Sequence, residues 1–84
     1  MHTILRLPNV KARTGRGRSS VYADIRDKLF ISPISIGARA VGWPSGEVDT
    51  LIAARIAGKS DAEIRVLVAK LEAARKTGFV PGGR

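Results

Sequence analysis

The stretch "RTGRGRSSVYADIR", residues 13–26, sets four arginines, two glycines and two adjacent serines between short apolar groups. Gly15 reads as the left-handed stop of a helix before it, and "GRG" as a tight turn. A second helix is then expected over about residues 18–28. In it Val21, Ile25 and Leu29 recur at i, i+4 and i+8, which is one core-facing stripe. At about 100° per residue the opposite face carries Ser19, Ala23, Arg26 and Asp27, with Ser20 and Tyr22 on its flanks.

Working outward, "ILRLPNVKART" opens on a short apolar alternation and then Pro8, a good first-turn helix residue. A helix over about residues 8–14 would bury Val10 and turn Lys11 and Arg13 to solvent. Downstream, "LFISPISIG" changes period: β-branched residues dominate, and Pro33 makes the segment an edge strand. "GAR" is a hairpin-like turn and "AVGWP" the returning strand. Pro44, Ser45 and Glu47 start a third helix with Val48, Leu51, Ile52, Arg55 and Ile56 at helical period, ended by Gly58. "SDAEI" is a capping box in which Ser60 accepts from the amide of Glu63 and Glu63 reaches back. The fourth helix covers about residues 61–76, with an apolar stripe of Ile64, Leu67, Val68, Leu71 and Ala74. Asp61–Arg65 and Glu72–Lys76 are expected as i, i+4 ion pairs.

The chain has 84 residues, enough for one small domain. Apolar residues make up 44% of it and are spread along its length, which supports a modest core and argues against disorder. The expected fold class is mostly α with a small antiparallel β-hairpin. In domain terms, residues 1–58 form a winged helix-turn-helix unit. Residues 59–78 form an amphipathic helix packed on it or used for self-association, and residues 79–84 form a flexible tail. No apolar run approaches the ~20 residues of a membrane span. "MHTILRLPN" has no secretory core or cleavage site, so the expected location is cytoplasmic. The absence of cysteine excludes disulfides and thiolate metal sites.

Charge is the strongest global signal. The net charge is +8, and residues 1–30 hold seven Lys/Arg against two Asp, a net +5. Such a balance favours a polyanion. The turn and second helix supply what double-stranded DNA requires: small polar residues able to approach base edges in a major groove. Ser19, Ser20 and Arg26 meet that need, and Ala23 leaves room. Free amides at the helix start suit a phosphate, with Arg16 and Arg18 beside them. Arg39 sits at the tip of the hairpin, where it would reach the DNA backbone. Tyr22 has two open roles, packing its ring beside the core or reaching a phosphate with its hydroxyl.

The motif set "LRLPNV", "TG", "RS", Val21–Tyr22, "VGWP" and "EV", spread over residues 4–58, resembles the AlpA family of prophage regulators. These are small winged helix-turn-helix proteins, similar in architecture to excisionases and to the DNA-binding heads of MerR-type regulators. The resemblance implies a DNA-binding regulator of integrase expression or excision, with an excisionase-like DNA-bending factor as the alternative. Four positions depart from the family pattern. Arg16 stands where an apolar residue seals the turn, Gly17 where a serine caps the helix, Asp24 where an apolar or basic residue is frequent, and Leu51 where Trp is common. Asp24 reads as a surface or ion-pair residue, with acceptance from a cytosine amine in the groove as the alternative.

Other constellations are ordinary. Trp43, the single tryptophan, is expected as a core anchor rather than a base-stacking platform. His2 has no partner for a metal site. "TGRGRSS" lacks the spacing of a phosphate-binding loop. No nucleophile–base–acid set suggests an enzyme, and no cofactor is expected. The expected partners are double-stranded DNA and, because one small reading head binds weakly, a second copy in a homodimer or cooperative multimer. The rival from another class is a protein-interaction module whose basic surface serves solubility.

Overall fold

The computed structural model describes residues 3–77, the side chains of Lys76 and Thr77 excepted. His2 and the expected tail at residues 79–84 lie outside the described residues. In chain order the elements are β1 (Ile4–Leu5), α1 (Leu7–Thr14), α2 (Arg18–Arg26), β2 (Ile34–Gly37), β3 (Ala40–Pro44), α3 (Ser45–Ile56) and α4 (Asp61–Thr77). The class is the expected one: mostly α, with a small antiparallel hairpin.

The opening turn forms for the reason its glycine suggests. Gly15 has φ 70 and its N–H bonds the Lys11 carbonyl at 2.9 Å, a left-handed C-cap that an L side chain adopts only at a cost. Thr14 braces it: its hydroxyl donates to the Val10 carbonyl at 2.8 Å and accepts from the Arg16 amide at 3.3 Å. Val10 is fully buried while Lys11 and Arg13 face outward.

α2 ends two residues earlier than its period suggests. Lys28 takes φ 66, and the amides of Lys28 and Leu29 return to the carbonyls of Ile25 and Asp24 at 3.1 and 2.7 Å. That pairing is a Schellman ending made without glycine. It swings the chain back so that Phe30 and Ile31 enter the core. Leu29 packs against that core from outside the helix.

The strand expected within residues 29–37 is confined to Ile34–Gly37, and it does lie at a sheet edge. The sheet has three strands rather than two, in the order β1-β3-β2 and all antiparallel. β1 pairs Ile4 with Pro44 and Leu5 with Trp43. Its preceding residue, Thr3, accepts from the Ser45 amide at 2.7 Å and donates to the Ser45 hydroxyl at 3.0 Å, tying the chain start to the start of α3. Gly42 lies in the middle strand where β1 and β2 close over it. A Cβ there would run into the Ile4 side chain and come within 3.0 Å of the Leu5 carbonyl.

The core is Leu5, Val10, Val21, Phe30, Ile31, Trp43, Val48, Leu51, Ile64 and Val68. Trp43 is its centre, fully buried, with its indole N–H donating to the Ile31 carbonyl at 3.1 Å. Ile64 and Val68 come from α4, so that helix closes the same core as the helices and sheet before it. Burial of a side chain of this size stabilises a fold by about 1.5–3 kcal/mol.

Candidate nucleic-acid interface

Around α2 the burial follows the helical period. Val21 is buried and Ile25 half-buried, while Ser19 and Arg26 are exposed and Ser20 and Ala23 are intermediate. Gly17 provides an extended N-cap without a side-chain hydrogen bond, so the first amides of α2 have no protein cap. Arg18 lies with its guanidinium 6.0 Å from the centre of the Tyr22 ring. That ring packs edge-on against buried Trp43, with 6.3 Å between centroids and 65° between planes, and stays 39% exposed. The core therefore fixes Tyr22, and Tyr22 in turn offers Arg18 an aromatic face on the helix flank.

The other expected site residues differ in their engagement. Arg26 is largely exposed, with a loose 3.4 Å contact to Asp27. Arg39 is exposed in the turn between β2 and β3. Among the described residues, neither Arg18 nor Arg39 forms an ion pair. Arg16 does: its Nη2 stands 3.0 Å from Asp24 Oδ1. Two of the positions that depart from the family pattern are thus partners of each other, and Asp24 is an ion-pair residue. Leu51 is buried.

Polar contacts from α4 hold the segment that follows α2. Glu47, in the first turn of α3, is only 8% exposed. Arg75 of α4 meets it with Nε at 3.1 and 3.0 Å from its two carboxylate oxygens and Nη2 at 2.6 Å. The same Nη2 donates to the Ser32 carbonyl at 2.8 Å, and Glu72 accepts from the Ser32 amide at 2.8 Å. Glu72 and Arg75, one turn apart on α4, therefore hold both polar backbone groups of Ser32, in the segment joining α2 to the hairpin. Arg65 adds a bond from Nε to the Asp27 carbonyl at 3.1 Å, at the exit of α2.

These contacts correct one expected ion pair of α4, Asp61–Arg65, while the other, Glu72–Lys76, involves a side chain outside the described residues. Asp61 pairs with Arg55 at 3.1 Å instead of Arg65, because Arg65 is drawn to the Asp27 carbonyl. Glu72 turns to the Ser32 amide, and the Lys76 side chain lies outside the described residues. The capping box forms as expected, with the Ser60 amide donating to Glu63 at 3.0 Å and the Glu63 amide to the Ser60 hydroxyl at 3.2 Å. The Ser60 amide donating to the carboxylate foremost, then the Ser60 hydroxyl and the nearby Lys59 charge, hold the Glu63 carboxyl below its ordinary value. The Glu47–Arg75–Ser32 contacts had no sequence signal: the two side chains are 28 positions apart, and the "EV" motif that contains Glu47 says nothing of Arg75.

The arrangement is two short helices meeting across a glycine turn, a hairpin beside them and a polar outward face on α2 that carries Arg26 and is flanked by Arg18. The family described as "Prophage CP4-57 regulatory protein (AlpA)" matches residues 3–56. The chain belongs to this family of prophage regulatory proteins. It is also similar to "Uncharacterized protein ORF88" of Enterobacteria phage P4, 40% identical over 55 residues. That alignment covers 66% of this chain and 62% of the relative, so the chain spans somewhat under two thirds of the length of the curated relative it matches. No solved structure matches the chain. Among the described residues, no helix is long and apolar enough to cross a membrane.

Proposed function

We propose that this protein is a sequence-specific double-stranded DNA-binding regulator of a prophage or similar element, acting without catalysis in the cytoplasm. α2 enters a major groove with Ser19, Ser20 and Arg26 towards base edges and Ala23 allowing close approach. Arg18 and the uncapped amides at the start of α2 meet a phosphate, with Tyr22 alongside. The hairpin acts as a wing that brings Arg39 to the adjacent backbone. The observation that carries the reading is the outward face of α2: it is polar and open, and Arg18 on its flank has no acidic partner among the described residues. A face serving only solubility has no need of a cation poised over an aromatic ring that the core itself orients. A single head of this size buries little DNA, so two or more copies are expected on one site.

The test is binding to duplex DNA taken from upstream of the neighbouring integrase gene, against a scrambled duplex, over about 50–200 mM salt. Arg18→Ala and Arg39→Ala should each lower affinity and reduce the log–log salt slope by about 0.9, with thermal melting unchanged. Equal, weak binding to both duplexes by the wild type would refute sequence-specific recognition. Bending of attachment-site DNA without promoter occupancy would move the assignment to a recombination factor.

A further inference from the structure

Arg16 sits at the glycine turn, beside the start of α2, where a cation would be expected to serve a DNA phosphate. Its guanidinium is instead engaged by Asp24. Asp24 lies five residues along α2 from Ser19, about 140° around the helix from it and so to one side of the outward face. Both members of the pair line a cleft of about 510 Å³ behind α2, whose apolar wall includes Val21, Leu29 and Leu51. The Asp24 side chain is 21% exposed and the Arg16 side chain 49%. The carboxylate is thus the more fixed partner, and it draws the longer, freer side chain away from the groove-facing side.

We infer that Asp24 withholds Arg16 from DNA and so sets an upper limit on the protein's affinity for any duplex. This rests on the reading of α2 as the groove-entering helix. Arg16 in the wild type neutralises Asp24, not a phosphate, and the pair adds no net charge to the interface. A half-exposed pair of this kind is weak enough for its loss to be read as a small change in binding: exposed pairs are worth about 0.2–1 kcal/mol, or roughly 1.4- to fivefold. Weakness is what makes the device useful for a regulator, because it trims non-specific affinity without altering the base-reading residues.

The experiment is a double-mutant cycle of Arg16→Ala, Asp24→Asn and the combined variant, on a mixed-sequence duplex of about two helical turns (~20 bp). Affinity is measured across about 50–200 mM salt, and folding stability by urea titration. Asp24→Asn should tighten binding up to about fivefold and steepen the salt slope by about 0.9. That steepening should vanish in the combined variant, because it requires the freed Arg16. Arg16→Ala alone should leave the wild-type slope unchanged. A slope reduced by about one unit in Arg16→Ala would overturn the inference, since Arg16 would then already contact a phosphate. An equal gain in Asp24→Asn and the combined variant, each compared with its Asp24 parent, would also overturn it, because Asp24 would be acting by repulsion alone. If the wild type shows no salt-dependent duplex binding, the groove-binding reading itself fails. The stability cycle then still reports whether Arg16 and Asp24 couple in the free protein.

Discussion

Replacing Arg75 with alanine should cost this fold about 2–3 kcal/mol. The substitution removes three contacts to the Glu47 carboxylate and one to the Ser32 carbonyl. It leaves Glu47, 8% exposed, with no cationic partner among the described residues. Removing one partner of a fully buried pair costs about 3–5 kcal/mol, because the remaining charge stays desolvated. Here the side chains retain 23% and 11% of their exposure, so water reaches part of the pair and the loss falls at or just below the bottom of that range. A domain of this size has a total stability of roughly 4–12 kcal/mol, so the loss is a large share of it. The melting temperature should fall by about 10–20 °C, at about 4–8 °C per kcal/mol. Thermal and urea unfolding followed by far-UV circular dichroism measure it, with an unchanged urea m-value as the check on two-state behaviour. The companion Glu47→Gln/Arg75→Met should recover most of the loss, since no lone charge is left behind. A loss below about 1 kcal/mol would refute the reasoning, because the pair would then be behaving as an ordinary surface contact.

Trp43→Phe should destabilise by about 2–3 kcal/mol, as it opens space at the core centre and leaves the Ile31 carbonyl without its indole donor; chemical denaturation checks this. A chain ending at residue 58 keeps the whole family-matched segment but loses Ile64 and Val68 from the core. It should lack a cooperative melt, and a sharp thermal transition in that fragment would show that α4 is dispensable. Folding lowers the Glu63 pKa, so the stabilisation from its charged form is complete above the carboxyl's ordinary value and disappears as the pH falls through the lower folded-state value. The stability gap between wild type and Glu63→Ala should therefore be constant near neutrality and close in acid, as urea midpoints across pH would record.

Much of the local architecture was legible because it depends on neighbouring residues. Gly15 stops α1 through its own backbone freedom, and Ser60 and Glu63 satisfy each other's amides three positions apart. Ala40–Pro44 strand residues and the start of α3 coincide with the expected boundaries. The end of α2 was not legible: a lysine takes the left-handed position, so there was no glycine to announce the stop. On the candidate interface, helical period was enough to place Ser19 and Arg26 outward. It could not distinguish Arg18, which rests on an aromatic ring, from Arg16, which is bound to Asp24.

From residue order alone came the helix–turn–helix, the hairpin, the polar outward face of α2 and the family pattern, all consequences of period, turn chemistry and composition within short windows. Only the folded chain decided that two residues at the start would become a third strand, that α4 would complete the core, and that Glu47, Arg75 and Ser32 would meet. Those contacts join positions 28 to 43 residues apart, and β1 pairs across about as many. Separations of that order leave no periodic trace, because the partners are chosen by how whole elements pack and not by the residues beside them.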